Sequence, residues 1–174
     1  MNILILPGDG IGPEIAAATL KVLESAGRAF AIAFRFEQCD IGLASLKTQG
    51  TTMPDAVLKR VPQMDGVVMG PHDNISYPPR EQGGINPSST MRKTFDLYAN
   101  IRPSRSRPGL SPINKPMDLV IVRENTEGFY ADRNMFLGSG EFMPDENMAL
   151  SVRKITARAC NRIARSAFEV ARSR

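Results

Sequence analysis

The chain contains no tryptophan, only two cysteines, a single histidine and no long apolar run. No stretch approaches the ~20 residues of a membrane-spanning helix, which argues against a membrane partner. The opening Asn2–Leu6 run is too short for a signal-peptide core and has no basic flank. Cys39 and Cys160 lack metal-ligand spacing and read as reduced, buried thiols of a cytoplasmic protein. The missing tryptophan, only three tyrosines and the lack of a recognised binding motif argue against nucleic acid, although the net charge is +4 and the pI about 9.3. That charge is expected on helix faces, among them Arg153, Arg158, Arg162, Arg165 and Arg172. A shift of DNA mobility that depends on salt would revive the nucleic-acid reading. His72, between Pro71 and Asp73 in a loop, is a weak candidate for a catalytic base.

What remains is an ordinary globular composition, 42% hydrophobic and 23% charged over 174 residues. Asn2–Leu6, 34–38, 66–70 and 118–122 read as strands. A helix is expected from Pro13 to about Ala26, with Ile15, Thr19, Val22 and Ala26 on one face, and a short one from Pro54 to about Val61. The alternation implies an α/β layer fold with a mostly parallel sheet, its buried strands reading as continuous apolar runs. Residues 71–87 form a long Gly/Pro-rich loop. Ser88, Ser89 or Thr90 would cap a helix carrying Arg92, Lys93 and Asp96. Residues 103–116, with four prolines, read as a connector, and residues 133–148 as irregular or a strand arm. Val152, Ile155, Ala159, Ile163, Ala167 and Val170 recur at helical spacing.

Chemistry concentrates between Arg92 and Tyr130. Arg92, Arg102 and Arg123 each stand in a short defined context, and Glu127-Gly128-Phe129-Tyr130 closes the stretch. Guanidinium forks hold carboxylates bidentately, so a set of them suits a small multi-carboxylate acid. Any one of them alone would more ordinarily be a surface ion pair, and Tyr130 alone a packed aromatic. The Gly8-Asp9-Gly10-Ile11-Gly12-Pro13 turn is not the dinucleotide fingerprint, because the glycine spacing is short and Pro13 replaces the closing glycine. It is either a simple strand-to-helix turn or a ligand-facing loop.

Four ordered segments carry a resemblance: Ile5-Leu6-Pro7-Gly8-Asp9-Gly10-Ile11-Gly12-Pro13-Glu14, the Arg92 segment, Asp96-Leu97-Tyr98-Ala99-Asn100-Ile101-Arg102-Pro103, and 120–130. Together they resemble the amino-terminal half of the metal-dependent β-decarboxylating dehydrogenases of the isocitrate/isopropylmalate type. The resemblance implies an incomplete three-layer α/β/α fold. Residues 1–102 would be part of a large cofactor-binding domain and 103–174 part of a smaller dimerisation and substrate domain. It implies oxidative decarboxylation of a 2-hydroxy di- or tricarboxylic acid with NAD or NADP and Mg2+ or Mn2+, in a homodimer. Arg92, Arg102 and Arg123 would bind substrate carboxylates, with Ser88 and Asn86 beside them. Tyr130 would help protonate the enol left by CO2 loss. Gly10, Ile11, His72, Asn74 and Tyr77 would lie along the cofactor. No metal ligand is expected here: the family's aspartates, its catalytic lysine and most of its adenosine site belong to a further half, and Lys154 does not match that lysine. By the same resemblance, the polar Asn86-Pro87-Ser88-Ser89 set disfavours an alkyl-bearing acid, and the Asn125-Thr126-Glu127-Gly128 context leans toward the isocitrate, homoisocitrate and tartrate branches. The 174-residue chain alone is expected to be inactive. The alternative is a non-catalytic carboxylate-binding or partner module derived from the same family.

Overall fold

The computed structural model describes residues 1–107, 109–110, 116–129, 135–138 and 140–174. They form two compact units, 1–91 and 92–174.

The first unit is built on strand β1 (Asn2–Leu6), which pairs in parallel with β2 (Arg35–Gln38) on one side and β3 (Gly66–Met69) on the other. The sheet order is β2-β1-β3. A central strand is covered on both faces, which explains the unbroken apolar run: Leu4, Ile5 and Leu6 are almost fully buried. β3 is an edge strand and only half-buried, where its apolar run implied full burial.

Helix α1 (Gly12–Phe30) returns the chain from β1 to β2, with Pro13 in its first turn and Glu14 at its positive end. It runs past Ala26 and ends at Ala31, whose φ of 54° lets its N–H reach the Gly27 carbonyl. Its packed face is Gly12, Ala16, Leu20 and Gly27, not the expected stripe: Ile15 and Val22 face solvent. The true stripe lies one residue further on, and small residues define it because the helix sits close. A Cβ on Gly27 would stand 3.0 Å from the Phe34 ring. Helix α2 (Gly42–Gln49), for which the sequence offered no signal, ends at Gly50 in the left-handed region. Helix α3 (Asp55–Arg60) leads through a 3-10 turn into β3. Glu37 and Arg60 form a two-point pair at 2.5 and 2.8 Å that lowers the carboxyl's pKa.

The long loop after β3 is pinned. Buried Thr52 accepts the Ile85 N–H at 2.7 Å and donates to the Ile85 carbonyl at 2.5 Å. Helix α4 (Pro87–Thr94) follows, capped by Asn86, whose Oδ1 accepts the Ser89 N–H at 2.9 Å. The expected serine or threonine cap is thus two positions or more too late, and Asp96 lies beyond the helix at φ 46°.

The second unit holds the antiparallel pair β4 (Ala99–Arg105) and β5 (Asp118–Glu124), a second ribbon of β6 (Glu141–Asp145) and β7 (Met148–Ser151), and helix α5 (Ala157–Arg172). The proline-rich connector therefore begins later than expected. Pro103 lies inside β4 opposite Val120, tolerated because a two-stranded ribbon leaves one edge unpaired. β5 is not a buried strand: Val120, Val122 and Glu124 are half-buried while Leu119, Ile121 and Arg123 are exposed. Helix α5 packs against β5 through Ala159, Ile163, Ala167 and Val170, as the spacing predicted. Val152 and Ile155 precede the helix and are exposed. Thr156 caps it, its hydroxyl accepting the Ala159 N–H. Both cysteines are free, but neither is buried: Cys39 is half-buried and Cys160 exposed in the first turn of α5.

Candidate functional site

Two groups of predicted site residues come together, one in each unit. In the first unit, β1 and β3 end side by side. The chain leaves β1 toward β2 on one side and later returns to β3 on the other, so the strand order reverses between β1 and β3. In open α/β sheets ligands bind at the carboxyl ends of the strands where that reversal occurs. The 7–12 turn and the loop after β3 meet there backbone against backbone. A Cβ on Gly8 would fall 2.1 Å from the Pro71 carbonyl oxygen, and one on Gly70 would fall 2.0 Å from that of Pro7. Gly10 faces open space and Ile11 is exposed, so both are presented outward. His72 is half-buried, and its Nδ1 is buried with no hydrogen-bond partner among the described residues. Asn74 is exposed.

Tyr77 is not presented in the same way. Its hydroxyl donates to Asp9 at 2.5 Å. Burial first, and then that carboxylate, push the phenol well above its ordinary value of 10. Asp9 is buried and also accepts the Asp73 N–H at 3.0 Å and the Leu43 N–H at 2.6 Å. The sequence reading passed over Asp9, whose signal was an acidic residue between two glycines just beyond a strand's carboxyl end.

In the second unit the register of β4 and β5 places Asn100 opposite Arg123. Arg102, two residues along β4, therefore shares a face with Arg123 on the diagonal, a spacing of about 7–8 Å between positions. Both arginines are exposed, and Arg102 donates from Nε to Asn100 Oδ1 at 3.1 Å. Arg102 lies mid-strand in an antiparallel ribbon, not at a strand's carboxyl end. What joins the two arginines is the pleat. Arg92 is half-buried on α4. Ser88 is half-buried on the same helix, and Asn86 spends its side-chain oxygen on the cap. Tyr130 lies outside the described residues.

Beside Arg123 opens a cleft of about 700 Å³, lined also by Glu127, Phe129, Arg153, Lys154 and Cys160. Gly128 and Lys154 exchange backbone hydrogen bonds at 2.9 and 3.0 Å. This bridge brings Lys154 and Arg153 to the wall of the cleft, and Arg153, expected on a helix face, precedes the helix. The Arg153 guanidinium lies 5.4 Å from the Phe129 ring centre. Glu127 accepts the Thr156 N–H at 2.9 Å and the Thr156 hydroxyl at 2.8 Å, tying this wall to the start of α5.

The opposite face of β5 is held by Arg162, which is not on a solvent face as expected. Its guanidinium donates to Asp96 at 2.6 Å and to Thr126 Oγ1 at 2.8 Å, stands 3.6 Å from Glu124, and stacks 4.4 Å from the Tyr98 ring centre. The bond to Asp96 chiefly raises its pKa. Burial tends to raise the Glu124 carboxyl, but bonds from the Thr126 hydroxyl and the backbone N–H groups of Glu127, Thr126 and Asn125 prevail and hold it below its ordinary value. The signal for Arg162 was its phase: it falls between Ala159 and Ser166 on the packed stripe of α5.

A family model described as isocitrate/isopropylmalate dehydrogenase matches residues 2–174. The chain belongs to the isocitrate/isopropylmalate dehydrogenase family. It is similar to the 3-isopropylmalate dehydrogenase of Prochlorococcus marinus, 33% identical over 99% of this chain and 50% of that protein. Among solved structures, the isocitrate dehydrogenase of Methylococcus capsulatus matches with a TM-score of 0.76 at 34% identity, over 99% of this chain and 48% of that one. A β-decarboxylating dehydrogenase of Thermococcus kodakarensis matches with a TM-score of 0.68 at 31% identity, over 99% and 46%. The chain thus spans about half the length of the curated relatives it matches. Its family fold is an α/β fold with a parallel sheet, and it is incomplete in this chain.

Proposed function

We propose that this chain supplies the acid-holding and nicotinamide-facing portion of an NAD(P)-dependent oxidoreductase that oxidises and decarboxylates a 2-hydroxy di- or tricarboxylic acid. The observation that carries this reading is the common face of Arg102 and Arg123 on an exposed antiparallel ribbon. Two guanidinium groups on one pleated face form two forks for two carboxylates. Arg92 is proposed as the third. These residues bind and orient the acid; Tyr130 is proposed to return a proton to the carbon that loses CO2. The roles follow the family, with the unit containing β1–β3 facing the cofactor and the unit containing β4 and β5 holding the acid.

The β1/β3 end suits a nicotinamide group. Gly10 leaves open space, Ile11 offers an apolar contact, and His72 Nδ1 is a buried polar atom without a partner among the described residues. When bound, the nicotinamide ring would take the hydride from the hydroxyl-bearing carbon. Among the described residues no three His, Cys, Asp or Glu side chains come together to hold a metal ion. No helix among them is long and apolar enough to cross a membrane. A cytoplasmic homodimer is proposed for the whole enzyme on family grounds.

The acid itself is where the supports diverge. The curated relatives carry the name isopropylmalate dehydrogenase, whereas the polar Asn86–Ser89 segment suits a more polar acid. Asn86 already spends its oxygen on the helix cap. The deciding experiment titrates the chain with isocitrate, homoisocitrate, isopropylmalate, tartrate and D-malate while watching backbone amide resonances. One acid should perturb Arg102 and Arg123, and Arg102→Ala or Arg123→Ala should weaken it on the order of tenfold or more. If none of the acids moves those amides, the reading fails. In the same samples, NAD or NADP with Mg2+ or Mn2+ is expected to yield no reduced cofactor.

A further inference from the structure

Asp9 is the most deeply committed charged group in the first unit, and the proposed chemistry does not use it. Asp9 is only 7% exposed, and its carboxylate bonds to the 72–77 loop and to the start of α2. Oδ1 accepts the Leu43 N–H at the start of α2; Oδ2 accepts the Asp73 N–H and the Tyr77 hydroxyl. Its own N–H donates to the Pro71 carbonyl at 2.8 Å. The space around it is closed, since a Cβ on Gly42 would fall 2.3 Å from Asp9 Oδ1. A carboxylate accepting two backbone donors and a phenol at once fixes three segments against one another more firmly than a neutral group, because each bond is charge-assisted.

We infer that Asp9 is a positioning residue, whose carboxylate holds the 72–77 loop in the geometry in which His72 and Asn74 meet the nicotinamide portion of the cofactor. This rests on the crevice reading given above for the β1/β3 end. The chemistry is specific to a carboxylate. An asparagine in its place offers one acceptor and one donor. Its NH2 would then face either the Asp73 N–H or the Leu43 N–H, leaving a part-buried backbone donor without its acceptor.

The test compares the wild-type chain with Asp9→Asn, Tyr77→Phe and the double variant, by site-resolved amide exchange and by titration with reduced nicotinamide mononucleotide. Asp9→Asn should speed exchange at residues 72–77 on the order of tenfold, while amides of β1 and of the β4–β5 ribbon keep their protection. The mononucleotide should bind Asp9→Asn several-fold more weakly, and the double variant no more weakly than Asp9→Asn alone, since both changes break one linkage. Unchanged protection at 72–77, or equal loss of protection throughout the first unit, would overturn the inference. So would independent, additive losses of affinity. If Asp9→Asn does not fold, Tyr77→Phe decides alone: local loss of protection at 72–77 supports the inference and unchanged protection there overturns it. If wild-type chain ignores the mononucleotide, the crevice reading fails, and the exchange data still judge whether Asp9 holds the loop.

Discussion

The two units keep their shape by different means. Among the described residues, almost all the buried apolar side chains belong to the first unit: Leu4, Ile5, Leu6, Ile41 and Met53 are at most 2% exposed. In the second unit Ala159, at 3% exposed, is the one buried apolar side chain among the described residues, while Ile121, Phe129, Phe142 and Phe168 stand largely in solvent. Its β6–β7 ribbon is exposed along both strands. A two-stranded ribbon is marginal on its own, and such faces are ordinarily covered by more protein. The β1/β3 end is thus mounted on a filled apolar core, whereas the arginine face is mounted on a ribbon braced by one helix and one guanidinium. The contrast is between one candidate site on a filled core and another on a weaker support.

The contrast breaks most visibly if the core is removed. Leu4→Ala, at a fully buried position in the central strand, should cost about 4 kcal/mol. Residue-resolved denaturant unfolding should show the loss in β1–β3, with β4 and β5 melting where they did before. Equal loss in both units would mean that they fold as one body. Gly8→Ala comes next, at about 3 kcal/mol, since φ is 77° and the added methyl would press on the Pro71 carbonyl. Its effect should centre on the 7–12 turn and the 70–77 loop, read by exchange at Asp9 and Asp73.

In the second unit the brace is polar. Arg162→Met keeps much of the side-chain bulk over Tyr98 but leaves Asp96, Thr126 and Glu124 without their shared partner. The expected cost is about 2 kcal/mol, confined to β5 and α5. A variant as stable as wild type would show that α5 is held by its apolar stripe alone.

These regions were not equally legible. The central strand β1 announced itself because burial on both faces leaves no polar position in the run. Likewise α5 was readable from Ala159, Ile163, Ala167 and Val170. The core face of α1 was misread because its contact residues are small: Gly12, Ala16 and Gly27 carry little hydrophobic signal, yet they let the helix approach the sheet. Pro103 looked like a breaker because a sequence does not say which strand edge is unpaired. The arginines were found by type and context, but their common face depends on the β4–β5 register, set by pairing across the 106–117 connection. Asp9 and Arg162 were passed over for one reason: a charged residue is first assigned to solvent, and only the fold shows which charge lies among partners.

The smallest effect tests the same brace by acid. Glu124's carboxyl lies below its ordinary value of 4.5, so the folded state binds that proton less readily than the unfolded chain does. Its contribution is therefore fully present above 4.5 and is lost as the pH falls through the depressed folded value. Protonation would weaken its acceptance of the Thr126 hydroxyl and the Thr126 and Glu127 N–H groups, and reduce its attraction to Arg162. Between pH 6 and pH 3 the second unit of the wild-type chain should lose stability with a component missing from Glu124→Gln, by about 1 kcal/mol. The comparison is made unit by unit with the same residue-resolved unfolding. Glu124 and Arg123 alternate along β5 but both line the same cleft, so acid binding by the glutamine variant at neutral pH tests whether the two are coupled; unchanged affinity is expected if the acid sits on the Arg102–Arg123 face alone. A parallel loss of acid affinity would show that the brace also tunes the arginine face.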